Sequence, residues 1–196
     1  MRGVKNSGIK SAKEWLLNSG IQNNEGARSG GFNSWYDMDE RGYSYVYSEI
    51  TGYGITTLLY LSKRLDDKEC LEKAVNAAQW LMSKAWHSCG GVKTRDYYWD
   101  MKGTDHYSFD NQNIYAFDNG MVFYGMTNLY RKTEKKEYLE FASQIADFLL
   151  KDMMTRDGLF YAVFDGKTGE KVDELWKWSS QSGSYHAKLA RIYRSF

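Results

Sequence analysis

Residues 52–81, GYGITTLLYLSKRLDDKECLEKAVNAAQWL, recur without a gap as residues 120–149, GMVFYGMTNLYRKTEKKEYLEFASQIADFL. The two copies lie 68 residues apart (120 − 52) and agree at apolar and turn positions alike. A repeat of this length is the signature of stacked supersecondary units. The sequence therefore predicts a single α/α-repeat domain over 1–196. Its repeats are expected at about 52–118 and 120–182, with a partial copy at 183–196.

Each full repeat has the pattern of an apolar helix followed by an amphipathic one. The predicted pairs cover about 51–64 with 68–84, and about 119–131 with 135–152. A lone helix over about 7–19 matches the second helix type and has no first member before it. Together with the partial copy, this pattern predicts six helices.

Three long connectors, at about 20–48, 83–116 and 153–180, each follow a helix of the second type. Each contains a glycine followed by an apolar or aromatic residue, which predicts short strands or hairpins. Connections this long inside a compact domain are usually functional or disordered, and their many aromatic residues argue against disorder. We expect the three connectors to gather on one face.

Alternating apolar and amphipathic helices predict an all-α fold in which inner helices are wrapped by outer ones. This is an α/α toroid or partial toroid of about three helical hairpins, with long aromatic connectors that contain short β-hairpins. An open solenoid of the same hairpins is the alternative. In a toroid, the inner helices begin on the face that carries the connectors, so their positive dipole ends and the aromatic walls surround one funnel.

Composition excludes several functions. The 26 basic and 25 acidic residues leave a net charge of +1, which argues against a nucleic-acid partner. The two cysteines form neither a disulfide framework nor paired metal-ligand spacing. No stretch has the roughly 20 apolar residues that span a bilayer, and the amino terminus lacks the apolar core of a signal peptide. We therefore predict a cytoplasmic protein with no cofactor, no metal and no membrane partner.

Three segments near the predicted starts of the inner helices carry a resemblance: YSEITGY at 47–53, AFDNG at 116–120 and SGSYHAKLA at 182–190. The pattern is similar to that of the six-hairpin α/α toroids that act on carbohydrates. That superfamily includes unsaturated glucuronyl hydrolases, N-acylglucosamine 2-epimerase-like enzymes and several polysaccharide lyases. The resemblance implies a carbohydrate-active enzyme, a glycoside hydrolase, lyase or epimerase, that acts on an oligosaccharide.

A complete toroid of that superfamily has about twice as many helices as this sequence predicts. Three expectations stay open. The chain is a fragment, a half-toroid whose homodimer completes the ring, or a small ring closed by its first and last helices.

The resemblance places catalytic carboxylates at Glu49 and Asp118, three and two residues before their repeat glycines. Two carboxylates that flank a sugar bond can divide the acid and base roles when their environments separate their pKa values. The alternative is that both side chains cap helices. His186, on the third inner helix, is a candidate base, or a hydrogen-bonded core histidine.

Aromatic and polar side chains of the connectors and the rim are predicted to bind the sugar, because tyrosine and tryptophan offer an apolar face with a polar edge. A filled helical core or a solvated loop explains many such residues equally well. The predicted binding residues are Trp35, Tyr36, Tyr53, Trp99, His106, Trp176, Trp178 and Gln181.

Two other functions fit parts of the pattern. A non-catalytic helical-repeat module could use the same face to bind a glycan or a protein. A closed funnel that contains both carboxylates favours the enzyme, and an open concave solenoid favours the binding module. The acidic stretch at 37–40 also resembles the motif of toroidal terpene cyclases, but the glutamine and tryptophan repeats of those enzymes are missing. The same stretch opens like a calcium loop, in which Arg41 occupies a ligand position.

Overall fold

A computed structural model of the chain describes residues 2–98, 112–172, 181–183 and 186–189, with side chains from Ser7 onward. Its helices are α1 (Arg2–Asn18), α2 (Ser48–Leu65), α3 (Lys68–Trp80), α4 (Ala116–Thr133) and α5 (Lys136–Phe148). Its short strands are β1 (Tyr36–Asp37), β2 (Gly42–Tyr43), β3 (Tyr45–Tyr47), β4 (Arg95–Tyr97), β5 (Asn113–Tyr115), β6 (Val163–Asp165) and β7 (Lys171–Val172). The helix α3 continues into a wider turn at Leu81–Ala85, and α5 into one at Leu149–Met153.

The sequence repeat is also a structural repeat. The helices α2 and α4 begin 68 residues apart (116 − 48), as do α3 and α5 (136 − 68). Both inner helices begin about three residues earlier than the sequence pattern predicts, because β3 and β5 run directly into them. Tyr47 and Tyr115, the residues before these helices, are extended.

The helices form two layers. The helices α2 and α4 pack against each other, and each also packs against the outer helix that follows it, α3 or α5. A Cβ atom at Gly52 would lie 2.8 Å from the carbonyl oxygen of Met121, and one at Gly125 would lie 2.7 Å from the carbonyl oxygen of Gly52. The inner helices therefore approach so closely that only glycine fits. None of the helices in the described ranges is long and apolar enough to cross a membrane.

Asp67 begins α3 and also ties α1 to it. Its Oδ1 accepts a hydrogen bond from the Cys70 amide at 3.0 Å, and its Oδ2 accepts one from Lys13 Nζ at 2.7 Å. The hydrogen bond from Lys13 lowers the pKa of Asp67 below its ordinary value. One carboxylate therefore caps a helix and also holds the lone first helix in place.

The connectors meet through short antiparallel strands. The strands β1 and β2 form a hairpin within the first connector. The strand β3 pairs with β4 of the second connector, and β5 of the second connector pairs with β6 of the third, which β7 extends. These pairings place the three connectors side by side on the face where α2 and α4 begin. The predicted fold class, a partial α/α toroid with short β-hairpins, is confirmed.

The residue before each repeat glycine fastens one connector. Thr51 Oγ1 accepts a hydrogen bond from the Phe32 amide at 3.0 Å, and Asn119 Oδ1 accepts one from the Val92 amide at 2.8 Å. The Ser182 hydroxyl donates to the Phe160 carbonyl at 2.6 Å. We call these three side chains, Thr51, Asn119 and Ser182, joint residues, because each makes a hydrogen bond to the backbone of one connector: the first two accept from an amide, and Ser182 donates to a carbonyl.

Candidate active site

Two carboxyl groups meet where the inner helices begin. Glu49 is the second residue of α2 and Asp118 is the third residue of α4. The repeat offset of 68 therefore aligns Glu49 with Phe117, and Asp118 with Ile50. The two carboxylates therefore occupy neighbouring positions of the repeat. The close crossing of α2 and α4 nevertheless brings the two side chains within hydrogen-bonding reach of each other.

Asp118 is the buried member of the pair, with 3% of its surface exposed, whereas Glu49 is half-buried. Burial raises the pKa of Asp118 well above its ordinary value, and the Glu49 carboxylate raises it further. Arg95 and the Thr94 hydroxyl lower the pKa without offsetting this rise. Within the described part of the chain, Asp118 Oδ2 has no hydrogen-bond donor. Asp118 therefore holds its proton much more tightly than an exposed aspartate does.

Neither carboxylate caps its helix. The cap positions of α2 and α4 are Tyr47 and Tyr115, and neither makes a side-chain capping bond. Glu49 and Asp118 lie in the first turns, where the helix dipole favours negative charge. The alternative in which both side chains only close the helix ends is therefore not supported.

Arg95 lies beside the pair, although the sequence pattern did not single it out as a site residue. The antiparallel register of β3 and β4 places it opposite Tyr47, and it is 7% exposed. Its guanidinium carbon lies 5.2 Å from the ring centroid of Tyr45 and 5.5 Å from those of Tyr47 and Tyr115. We call these three tyrosines around Arg95 the tyrosine cage. Arg95 and the cage come from three strands that are distant in sequence, so no local motif indicates the cluster.

Two tyrosines of β3 supply hydroxyl groups that stay protonated. Burial raises the pKa of Tyr47, and the carboxylates of Asp118 and Glu49 raise it further. Burial also raises the pKa of Tyr45, to about 12. The Tyr47 hydroxyl is within hydrogen-bonding reach of Glu49, to which it can donate.

Two predicted binding residues lie on the first connector and face solvent. Trp35 is 40% exposed and packs edge-on against Tyr45, with centroids 5.1 Å apart. Tyr36 is 49% exposed and packs edge-on against Tyr43 at 5.4 Å. Both rings are therefore accessible beside the strands that lead to the carboxyl pair.

Residues 186–189 contribute a cation near the same helix starts. Lys188 Nζ donates to the Tyr53 hydroxyl at 3.4 Å and lies 5.3 Å from the centroid of Phe117. Tyr53 is four residues after Glu49, one turn along α2. Tyr53 and Phe117 come from the adjacent inner helices α2 and α4, so Lys188 contacts both.

His186 is 6% exposed, and its ring lies edge-on to Phe160 with centroids 6.3 Å apart. This contact fits the core histidine that the sequence left as an alternative, and its catalytic role stays a prediction. Gln181 is half-buried next to the joint residue Ser182. Four other predicted binding residues lie outside the described residues: Trp99, His106, Trp176 and Trp178.

The model of one protein family matches part of the chain. Residues 93–175 match the model of Glycosyl Hydrolase Family 88. This range includes Arg95 and Asp118, and it excludes Glu49. Among curated protein sequences, none matches the chain significantly.

Solved structures resemble the chain over nearly its whole length. A cellobiose 2-epimerase from Bacillus thermoamylovorans has a TM-score of 0.72 at 16% identity, covering 97% of this chain and 50% of its own. A family 76 α-mannanase from Bacteroides thetaiotaomicron has a TM-score of 0.68 at 14% identity, covering 96% and 52%. An unsaturated glucuronyl hydrolase specific for heparin has a TM-score of 0.64 at 19% identity, covering 92% and 47%. The chain thus spans about half the length of these proteins, and its fold resembles part of theirs, a partial α/α toroid.

Proposed function

We propose that the chain forms part of a carbohydrate-active enzyme in which Glu49 and Asp118 act as an acid/base pair on an oligosaccharide. The sugar would enter on the face that carries the connectors, where α2 and α4 begin. The structural neighbours named as an epimerase, a mannanase and a glucuronyl hydrolase support a sugar substrate. The match to a glycoside hydrolase family over 93–175 supports the same substrate class.

The observation that carries this proposal is the buried carboxyl of Asp118 beside a second carboxyl. Burying an ionisable group next to one of like charge costs free energy, and the helices do not need it to form. Groups with strongly shifted pKa values cluster at functional sites, where protons must be held and released. Asp118, which retains its proton, suits the acid role, and the more exposed Glu49 suits the base role.

The two carboxyl groups are close enough for the Glu49 carboxylate to raise the pKa of Asp118. A pair of carboxyl groups whose environments differ can deliver a proton to the sugar and remove it again. Hydrolysis, elimination and epimerisation all include such a step.

A glycan-binding module without catalysis is the alternative from another class. Exposed rings such as Trp35 and Tyr36 suit that role as well, because sugars stack on aromatic faces. A binding module gains nothing from a desolvated carboxyl beside a second carboxyl, whereas an acid catalyst does. Asp118 therefore favours the enzyme.

The test is an activity assay with three probes that the neighbours suggest: cellobiose, an α-mannan, and a heparin-derived disaccharide with an unsaturated uronic acid end. Product formation is followed by chromatography. We expect one probe to be converted, and we expect Asp118→Asn and Glu49→Gln each to lower kcat/KM by about 10²- to 10⁴-fold.

Asp147→Asn is the matched control, because Asp147 is an exposed carboxylate on α5 that pairs with Lys151 at 2.8 Å. It should keep full activity. Conversion by Asp118→Asn at the rate of the unmodified chain would contradict the acid/base assignment. Binding of a probe without conversion would support the non-catalytic module.

A further inference from the structure

Arg95 carries a positive charge that the fold has buried. Only 7% of this residue is exposed, although it is a strand residue in a connector. Moving an unpaired charge out of water costs several kcal/mol, so buried charges are kept beside a counter-charge. The neighbours of Arg95 therefore indicate what the charge is for.

The two faces of β4 make different contacts. Successive side chains of a strand point to opposite faces, so Arg95 and Tyr97 share one face, and Asp96 shares the other with Tyr98. On the second face, Arg28 Nη2 donates to Asp96 Oδ1 at 2.9 Å, and the Arg28 guanidinium lies 4.5 Å from the Tyr98 centroid. The Asp96 carboxylate is thus engaged away from Arg95.

Aromatic rings fix Arg95 on its own face. Its guanidinium lies over Tyr45, Tyr47 and Tyr115, at 5.2–5.5 Å from their centroids. Tyr45 also contacts Tyr97, with centroids 5.1 Å apart. A planar guanidinium packed among rings has few alternative conformations, unlike the side chain of a surface arginine.

The ionisable groups that interact with this guanidinium come from three elements besides β4. They are Tyr45 and Tyr47 of β3, Tyr115 of β5 and Asp118 of α4, together with Tyr97 of β4 itself. Glu49 of α2 adjoins Asp118 and raises its pKa. Counting the guanidinium and the two carboxyls, the net charge is −1 with both carboxyls ionised and zero with one proton retained.

Resting on the acid/base pair of the proposed function, we propose that Arg95 is a positioning residue for Glu49 and Asp118. Its caged charge stabilises one ionised carboxyl, and the other carboxyl remains the single proton donor. Arg95 thereby sets how many protons the pair holds, without itself touching the sugar.

The test is a pH titration of the carboxyl ¹³C signals of Glu49 and Asp118 by NMR, which needs no substrate. Arg95→Met removes the charge and keeps an unbranched apolar stem. We expect its first carboxyl ionisation to move up by about 1–3 pKa units, because the opposite charge that favours ionisation is gone. Arg95→Lys retains the charge and should reverse most of the shift. Arg28→Met, which removes an arginine from the other face of β4, should leave the titration unchanged.

A titration of Arg95→Met that superimposes on that of the unmodified chain overturns the proposal. If Arg95→Met is too unstable for the titration, melting temperatures decide, because Arg95→Met/Asp118→Asn loses one charge of each sign. We expect Asp118→Asn to raise the melting temperature more in Arg95→Met than in the otherwise unmodified chain, and an equal or smaller rise overturns the proposal. An inactive protein that shows the expected shift contradicts the proposed function alone. An active protein without the shift contradicts this inference alone.

Discussion

The amino-terminal ends of α2 and α4 have the same backbone arrangement but differ in how deeply they bury a carboxylate. In both, a three-residue strand enters the helix directly, and the residue before the repeat glycine holds a connector. The carboxylate of the first start, Glu49, is half-buried, whereas that of the second, Asp118, is nearly inaccessible. The joint residues therefore hold the connectors in both places. The carboxylates at neighbouring positions differ in burial, which suits them to different chemical roles.

The largest stability effect should come from the joint of α4. Asn119 makes three buried hydrogen bonds, to the Val92 amide, the Val92 carbonyl and the Tyr115 carbonyl. Asn119→Ala leaves these backbone groups without partners and should lower the free energy of unfolding by about 3 kcal/mol. Thr51→Ala should cost only about 1–2 kcal/mol, because it leaves fewer groups unpaired. Urea unfolding measures both, and equal losses would show that the two joints are interchangeable.

The next effect concerns the crossing of the inner helices. Gly52→Ala would place its Cβ 2.8 Å from a backbone oxygen of α4, so the helices must separate at a cost of about 1–3 kcal/mol. Gly8→Ala is the matched control, because Gly8 is a helical glycine with no atom of the described chain within 4 Å of its Cβ position. It should stabilise α1 by up to about 1 kcal/mol. Thermal melts of the two variants should shift in opposite directions, and a neutral Gly52→Ala would contradict the close crossing.

The carboxylate of α4 should make the protein less stable as the pH rises. The unfolded chain releases the Asp118 proton near its ordinary pKa, whereas the folded chain releases it only at a higher pH. Between these two values a rising pH favours the unfolded state, and this loss of stability persists above the folded pKa. Asp118→Asn removes the effect and can donate to Glu49, so it should gain about 1–3 kcal/mol at pH 7. Denaturant unfolding at pH 4 and pH 7 measures the difference, and a variant that loses stability at pH 7 would contradict it.

The smallest effect is expected outside both helix starts. Asp67→Ala removes the cap of α3 and the ion pair with Lys13, and should cost about 1 kcal/mol. The pKa of Asp67 is lowered in the fold, so the bond stabilises above the unfolded pKa and is lost as the pH falls through the folded pKa. The cost of Asp67→Ala should therefore be largest near neutral pH and shrink in acid, and its acid unfolding should begin at the same pH as that of the unmodified chain or higher. An onset at lower pH would contradict the stabilising role of this carboxylate.

Much of the fold could be predicted from the sequence, because the spacing of apolar residues within each repeat indicates its helices. The apolar spacing of residues 52–81 and 120–149 predicts both helix pairs, and Gly52 lies where the inner helices α2 and α4 cross. The early starts of α2 and α4 could not be predicted, since they depend on strands that pair across connectors. Sequence also suggested the carboxyl pair through Glu49 and Asp118.

The environment of the carboxyl pair could not be predicted from the sequence. Arg95 reaches the site because β4 pairs with β3, 48 residues earlier when Arg95 is matched with Tyr47 (95 − 47). Its tyrosine cage is likewise assembled by strand pairing. Burial of Asp118 depends on the crossing of α2 and α4, which no side-chain pattern in AFDNG indicates. Local patterns thus identify the residues, and only long-range packing sets their charge states.

The most direct test of the account is the titration of the Asp118 carboxyl ¹³C signal in the unmodified chain. We expect a midpoint well above the ordinary aspartate value, because burial and the Glu49 carboxylate both raise the pKa of Asp118. In Glu49→Gln the Asp118 midpoint should fall, because one of the two causes of its elevation is removed. A midpoint for Asp118 near 4 in the unmodified chain would mean that the carboxyl is not a proton donor, and the proposed acid/base pair would have to be abandoned.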